Sequence, residues 1–236
     1  MSVSYLVPTW ARPENWRYVI LDPSLRHPPD HYFENAYRLW RDVWSATFRE
    51  VEGRTSIDSD NFSRQDELGA LFSGERCLML SGFREVNLSL SPSRDDSYFR
   101  PWSNESLATL CKDGDLVLVG NQITVDPAVR GKDFPVSMKD LIVALSILRL
   151  MDSDCSVMAG TMRSLKGMNT LALRHRATKI PQELKLHSET SEIFAFYRSS
   201  YELGLPHLED LSKKLWRERL DLTITKSFEL NKKKIA

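Results

Sequence analysis

Apolar side chains recur every three or four residues between Tyr32 and Phe48, which predicts an amphipathic helix that begins near Asp30. Pro135 suits the first turn of a second helix, whose apolar face includes Leu141 and Leu145. The same periodicity predicts helices over residues 135–151, 165–178 and 207–222, and a shorter one that ends near Lys112.

Stretches rich in β-branched and aliphatic residues lie between these helices. The segments ALFSG and ERCLMLSGFREVNLSL, joined at Ser73-Gly74, predict a β-hairpin. Further strands are predicted at residues 115–125, in CSVMAGTM and within residues 189–201, and polar loops at residues 52–68 and 91–104. Because strands and helices alternate in the second half, the chain belongs to the α/β class.

The two ends of the chain differ from the middle. Five prolines before Asp30 predict an extended, loop-rich arm. We therefore expect an arm over residues 1–31, one domain over residues 32–201, and a C-terminal helix and tail over residues 202–236.

Composition narrows the function only by exclusion. The 236 residues carry 32 basic and 32 acidic side chains, so there is no excess of positive charge for nucleic acid or a membrane surface. Three widely spaced cysteines predict neither a disulfide scaffold nor a metal site. The N-terminus does not have the pattern of a signal peptide, and no stretch is apolar enough to cross a bilayer. We expect a cytoplasmic protein without membrane insertion.

A strand, a loop and a helix follow one another from Asp115 to Met151, and such a unit directs backbone N–H groups and a positive helix end outward. Its segment ITVDPAVRGK resembles the acyl-CoA loop of the GNAT (GCN5-related) N-acyltransferases. The resemblance implies a mixed, twisted sheet flanked by helices, and acyl-CoA or acyl-phosphopantetheine as donor substrate. It places the pantetheine arm at Val125 and phosphate near Arg130, Gly131, Lys132, Asp133 and Phe134. Asp133 and Pro135 depart from the family pattern, which suits one phosphate better than two.

The segment DCSVMAGTMRSLKGMNTLA resembles the next strand and helix of that family. The resemblance implies that Asn169 holds the pantetheine arm. Arg176 stands where the family often has a proton-donating Tyr, and His175 is beside it. Either residue could protonate the leaving thiolate, although a lone His or Arg on a helix is more often simply exposed.

The N-terminal half resembles the autoinducer synthases and the related long-chain N-acyl amino acid synthases, in pattern rather than in detail. The matching positions, which this resemblance assigns to the amine substrate, are Trp40, Trp44, Asp58, Asp60 and Arg84. Carboxylates can bind an amine, and an arginine can hold a carboxylate through two hydrogen bonds. A solvated loop with a surface ion pair would explain the charged residues equally well, and we favour a core role for the tryptophans.

Gly120 and Gln122 replace a Glu and an Arg of the autoinducer synthases in the central strand, so Gln122 joins His175 and Arg176 as a candidate catalytic residue.

Two functions remain open. The first is an N-acyltransferase that moves an acyl group from acyl carrier protein or acyl-CoA to an amino acid or another small amine. The second is a GNAT-like binding or assembly protein without catalysis. For the first, an acidic carrier protein would dock on the basic group Arg163, Lys166, Arg174, Arg176 and Lys179.

Overall fold

A computed structural model describes residues 8–24, 30–131, 134–163, 167–186, 189–200 and 206–223. Within these ranges the strands are β1 (Trp16–Leu21), β2 (Glu67–Ser73), β3 (Arg76–Asn87), β4 (Leu116–Val125), β5 (Val157–Arg163), β6 (Thr178–Leu186), β7 (Glu189–Tyr197) and β8 (Leu220–Asp221). The helices are α1 (His31–Glu52), α2 (Asp60–Ser63), α3 (Ser91–Arg94), α4 (Asn104–Leu110), α5 (Met138–Met151), α6 (Met168–Arg174) and α7 (Pro206–Arg217).

The strands form one mixed sheet in the order β6-β7-β5-β4-β3-β2-β1-β8. β1 to β4 are joined by antiparallel pairing, and β7 pairs antiparallel with both β5 and β6. β4 pairs in parallel with β5, and β1 with β8. This arrangement confirms the predicted α/β class with a mixed sheet flanked by helices.

Helices cover both faces of the sheet. Leu80 of β3 packs in the cluster that contains Trp40 of α1, whereas the adjacent Met79 packs in the cluster that contains Leu145 of α5. Successive side chains of a strand point to opposite faces, so α1 and α5 lie on opposite sides of β3 and β4. α7 packs against α5 and β1. The main core therefore lies between the sheet and α5, directly beneath the middle strands.

The ends of α1 follow from local chemistry. The Asp30 carboxylate accepts hydrogen bonds from the backbone N–H groups of Tyr32 and Phe33, which caps the first turn. Gly53 ends the helix in a left-handed conformation with φ of 67°. The helix predicted to begin near Asp30 is confirmed, and so is the hairpin, which turns at Gly74 with φ of 58°.

The structure differs from the sequence prediction at both ends and before β7. The arm expected over residues 1–31 contains β1, which pairs along its whole length with β2. Residues 178–186 form strand β6, for which no strand was predicted, so the preceding helix, expected over 165–178, is shorter. β8 likewise ends the C-terminal helix early. None of the helices in the described ranges is long and apolar enough to cross a membrane.

Candidate active site

The two middle strands of the sheet separate partway along their length. β4 and β5 are paired only from Val117 to Val119 on one strand and from Val157 to Ala159 on the other. Beyond these three pairs, β4 remains paired with β3 up to Val125, and β5 remains paired with β7 up to Arg163. The sheet is therefore split into two halves by a cleft at its centre.

The edge of β4 that borders this cleft is bulged. Gly82 pairs with Asn121 and Leu80 pairs with Thr124, so β4 has one more residue between these pairs than β3. Gln122 lies in the bulge with φ of 53°, a left-handed conformation that is strained for any residue other than glycine. Such local strain persists only where neighbouring groups hold it.

Two indole groups of α1 hold the bulge from the face opposite α5. Nε1 of Trp40 donates to Oε1 of Gln122 at 2.9 Å, and Nε1 of Trp44 donates to Oγ1 of Thr124 at 3.0 Å. The Thr124 hydroxyl in turn donates to the backbone oxygen of Gln122 at 2.7 Å. Trp40 is fully buried and packs against Phe62, so the structure places both tryptophans as supports of β4.

The cleft opens into an apolar cavity between the sheet and α5, with a volume of about 20 Å³. That volume holds roughly one water molecule, so a larger ligand requires the flexible side chains of Met158 and Met162 to move. Gly120 and Gly160 on the facing strands both border the cavity, and a Cβ at Gly160 would lie 3.0 Å from the Gly120 backbone oxygen, so the two strands are still close together at this point. The full lining is Ser81, Gly120, Ile123, Val143, Ser146, Met158, Ala159, Gly160, Met162 and Phe196.

The loop after β4 lies at the mouth of this cleft and leads to the N-terminus of α5. The guanidinium group of Arg130 donates to the backbone oxygen of Val125 at 2.9 and 2.6 Å, and partial burial lowers the pKa of Arg130. Gly131 is exposed. Phe134 stacks on Trp16, with ring centroids 5.7 Å apart. Lys132 and Asp133, the other predicted phosphate-site residues, lie outside the described ranges.

The polar groups predicted near the second strand of the cleft have internal partners. Nδ2 of Asn169, in the first turn of α6, donates to Oε2 of Glu192 at 2.8 Å. Lys179 pairs with the same carboxylate, and Arg163 pairs with Glu189. These contacts neutralise much of the predicted basic group, of which Lys166 lies outside the described ranges.

His175 is buried at the end of α6, and its Nε2 lies 2.9 Å from Oδ1 of Asp140 in the first turn of α5. Burial lowers the pKa of His175, although Asp140 acts in the opposite direction. Burial alone would raise the pKa of Asp140, but hydrogen bonds from Ser137, Arg174 and His175 bring it below its usual value. His175 thus joins α6 to α5 and is not part of the cleft lining. The next residue, Arg176, is exposed with φ of 61°.

The charged residues predicted to bind the amine each have partners within the chain. Asp58 and Asp60 have side chains that are 84% and 72% exposed, and they make long ion pairs of 3.8 Å with nearby arginines. Arg84 donates to both carboxylate oxygens of Asp96 at 3.0 Å, and this pairing lowers the pKa of Asp96. Arg84 therefore already holds a carboxylate of its own chain.

The structure brings together Trp40, Trp44, Gln122 and Val125 around one strand of the cleft. Asn169, His175 and the acidic pair each bond to other charged groups of the chain. Most residues of the cavity lining, including Ser81 and Gly160, were not predicted from the sequence. A glycine inside a strand can signal a close approach or an irregularity, and that was the available clue for Gly160.

No protein-family model and no curated protein sequence matches the chain. Solved structures with the same fold include FeeM, an N-acyl amino acid synthase from uncultured soil microbes, at 16% identity and a TM-score of 0.54, covering 79% of this chain and 93% of FeeM. BjaI, a CoA-dependent acyl-homoserine lactone synthase solved with SAM and isopentyl-CoA, matches at 13% identity and a TM-score of 0.53. The match covers 87% of this chain and 92% of BjaI. A polyamine N-acetyltransferase of Drosophila melanogaster matches at 10% identity and a TM-score of 0.55, covering 77% of this chain and 99% of the fly enzyme.

These neighbours are acyltransferases, and they confirm the GNAT fold that the sequence resemblance implied, including its likeness to N-acyl amino acid and autoinducer synthases. Each neighbour is matched over more than nine tenths of its length, so the shared fold extends over whole acyltransferase domains.

Proposed function

We propose that this protein is an N-acyltransferase that moves an acyl group from a thioester of coenzyme A or phosphopantetheine to the amino group of an amino acid or another small amine. In this reaction the amine nitrogen attacks the thioester carbonyl, the C–S bond breaks, and the thiolate leaves and takes up a proton. The amine loses a proton in exchange. The observation that carries the proposal is the central cleft between β4 and β5.

The cleft suits a long, thin ligand with amide groups. Past Val119 and Ala159 the facing edges of β4 and β5 no longer pair with each other, so their backbone groups are available to a third extended chain. A pantetheine arm is such a chain, because it carries two amides on a narrow backbone. Beyond the backbone edges, the apolar cavity lined by Ile123, Val143 and Phe196 would accept the acyl group.

The fold neighbours support the same class of reaction. FeeM is an N-acyl amino acid synthase, BjaI was solved with isopentyl-CoA, and the fly enzyme forms N-acetylagmatine. All three join an acyl group to nitrogen, whereas their acceptors differ. At 10 to 16% identity the particular acceptor does not carry over to this chain. The loop from Val125 to Phe134 and the N-terminus of α5 are where we propose that donor phosphate binds.

The described residues that line the cleft include two serines but no carboxylate, imidazole or ammonium group. We therefore propose that the protein accelerates transfer mainly by positioning the two substrates. The acceptor then has to arrive as the neutral amine, so kcat/KM should rise with pH until the pKa of the amine itself. A plateau near neutral pH with a strongly basic acceptor would instead indicate a protein base.

The purified chain can be tested with a panel of acyl-CoA thioesters and amino acids, with thiol release and product mass measured together. Gly120→Ala and Gly120→Val form a graded block of the cleft, because a Cβ at this position would lie 3.1 Å from the flexible Met158 sulfur. We expect activity to fall from wild type to Ala to Val while thermal unfolding remains cooperative. Activity that is unchanged in a folded Gly120→Val protein would show that the cleft is not the active site.

A non-catalytic binding protein is the second candidate, and one observation favours it. Asn169, His175 and Arg84, which were predicted to act on substrates, each bond to a carboxylate of the chain instead. Binding of thioesters without product from any amine in the panel would select this second candidate.

A further inference from the structure

The two ends of the loop after β4 are each held by a side chain from another part of the chain. At the start of the loop, Oδ2 of Asp126 accepts hydrogen bonds from Nε and Nη2 of Arg76, the first residue of β3, at 3.0 and 2.7 Å. At its end, Phe134 stacks on Trp10, with ring centroids 5.9 Å apart, as well as on Trp16. The loop is therefore attached to β3 at one end and to the N-terminal segment at the other.

These two attachments form one connected set of side chains. The guanidinium group of Arg76 lies over the ring of Trp10, 4.3 Å from its centroid. This contact is attractive, because the face of an indole ring carries partial negative charge. Nε1 of Trp16 donates to the backbone oxygen of Trp10 at 3.1 Å, which ties the short turn Thr9–Ala11 to the start of β1. Arg76 and Trp10 therefore support each other as well as the loop.

The position of Phe134 also determines how the chain enters α5. Phe134 and Trp10 are partly buried and pack against the main core. Ser137, which follows shortly after Phe134, caps α5 by accepting a hydrogen bond from the backbone N–H of Asp140. A helix N-terminus attracts phosphate through its free N–H groups and its positive dipole end, so its use depends on where that end points. A shift of Phe134 would move the first turn of α5 with it.

We propose that Trp10 and Arg76 are positioning residues for the donor, which hold residues 126–131, Phe134 and the N-terminus of α5 in the arrangement that receives the donor phosphate. The inference rests on the proposed function, because it assigns this end of α5 to the phosphate of coenzyme A or phosphopantetheine. Both residues act through the backbone that they support, so their loss should weaken the phosphate contacts and leave binding of the pantetheine arm unchanged.

The test compares coenzyme A and 4′-phosphopantetheine with pantetheine, which has the same arm without a phosphate, by isothermal titration calorimetry of the purified full-length chain. We expect the wild type to bind at least one phosphate-bearing ligand about tenfold more tightly than pantetheine. In Trp10→Leu this preference should fall to about twofold or less, through weaker binding of the phosphate-bearing ligands alone. Trp10→Phe keeps an aromatic ring and should retain most of the preference.

Arg76→Lys is the second variant. It keeps the positive charge but cannot reproduce the two hydrogen bonds to Asp126 or the flat contact with Trp10, so the preference should fall to an intermediate value. Neither Arg76→Lys nor Trp10→Leu changes the net charge, so a lost preference in either variant cannot come from a missing charge. The Arg76 side chain is 40% exposed, so Arg76→Lys should fold and can decide the question if Trp10→Leu does not.

Trp216→Leu is the matched control. Trp216 has the guanidinium group of Arg219 over its ring at the same distance of 4.3 Å, and it packs against the same core. Because Trp216 belongs to α7, this variant should keep the wild-type preference. Trp10 and Arg76 support the loop together, so the Trp10→Leu/Arg76→Lys double variant should lose no more preference than Trp10→Leu alone.

The possible failures are distinguishable. If the wild type binds none of the three ligands, the proposed function fails and the inference fails with it. A wild type without phosphate preference, or an equal loss of pantetheine binding in the variants, overturns the inference and leaves the proposed function standing. A preference that survives in a folded variant overturns the role of the residue changed in that variant.

Discussion

The hydrogen bond between Trp40 and Gln122 offers the sharpest test of how the bulge in β4 is maintained. Trp40→Phe keeps an aromatic ring in the buried position but removes the Nε1–H group that donates to Oε1 of Gln122 at 2.9 Å. Gln122 would then have to keep its left-handed backbone conformation without the hydrogen bond from Trp40. We expect a less stable protein in which the edge of the cleft is less well ordered.

Two effects set the magnitude. Loss of the hydrogen bond is worth about 1 kcal/mol, and the amide oxygen left without its donor adds to this unless water reaches it. The smaller ring leaves a void beside Phe62, which we expect to contribute about 1–2 kcal/mol. The total of about 2–3 kcal/mol corresponds to a decrease of about 4–12 °C in Tm for a chain of this size.

A double-mutant cycle separates the two effects. Urea denaturation of wild type, Trp40→Phe, Gln122→Met and the double variant gives a coupling free energy in which the void largely cancels. We expect a coupling of about 1 kcal/mol. The same cycle with Trp44→Phe is the control, because Trp44 bonds to Thr124, and its coupling to the Gln122 side chain should be near zero.

A coupling below about 0.3 kcal/mol between Trp40 and Gln122 would refute the reasoning, since it would lie within the error of additivity. The bulge would then be maintained by the backbone pairing of β3 and β4 alone.

Three further changes test other parts of the structure. Gln122→Gly should be about 1 kcal/mol more stable than Gln122→Ala in urea denaturation, because glycine adopts the positive φ without strain. The buried His175 has a lowered pKa despite Asp140, so its protonation favours the unfolded chain, and stability should fall with pH below about 6.5. Tm measured from about pH 7.5 to 5.5 should therefore fall less in His175→Gln than in wild type. Arg149→Met should lower the free energy of unfolding by about 2 kcal/mol, measured in urea, because it leaves two carboxylate partners facing each other.

Each of these changes has a control or an outcome that would contradict it. A slope of Tm against pH in His175→Gln that equals the wild-type slope would contradict a special role for His175. Arg149→Lys keeps the charge but cannot reproduce the forked geometry, so an intermediate loss is expected. If Gln122→Ala equals Gln122→Gly, the positive φ carries no strain.

Elements with a regular apolar periodicity could be predicted from the sequence, whereas strands defined mainly by their pairing with other strands could not. α1 and α5 have long apolar periodicities and caps that are visible in the sequence. β1 was missed because all but one of its residues are buried, which removes the alternation that identifies a strand, and because prolines flank it. β6 was missed because it contains Pro181, which the strand accommodates at an irregularity between Ile180 and Glu183.

The candidate site was harder to predict, because its main feature is the absence of pairing between two strands. Gly120 in DLVLVGNQITV can signal an irregularity, but the sequence does not indicate that the second half of the strand leaves β5. The surroundings of a charged side chain could not be predicted either. The sequence shows that Arg84 can hold a carboxylate, but it does not show that Asp96 of the same chain supplies that carboxylate. The residues that line the cavity could be identified only from the way α5 packs on the sheet.

The short seam between β4 and β5 also bears on how the protein unfolds. Three residue pairs join the half that contains β5, β6 and β7 to the half that contains the other strands, so few backbone hydrogen bonds of the sheet cross from one half to the other. We expect amide hydrogen exchange to reveal two units of different stability, with the smaller half opening first. A thioester bound along both inner edges would tie the halves together, and exchange should then slow on both sides at once. The bound substrate would then supply the link between the two halves of the sheet that backbone pairing does not provide, and the protein would unfold more cooperatively with substrate than without it.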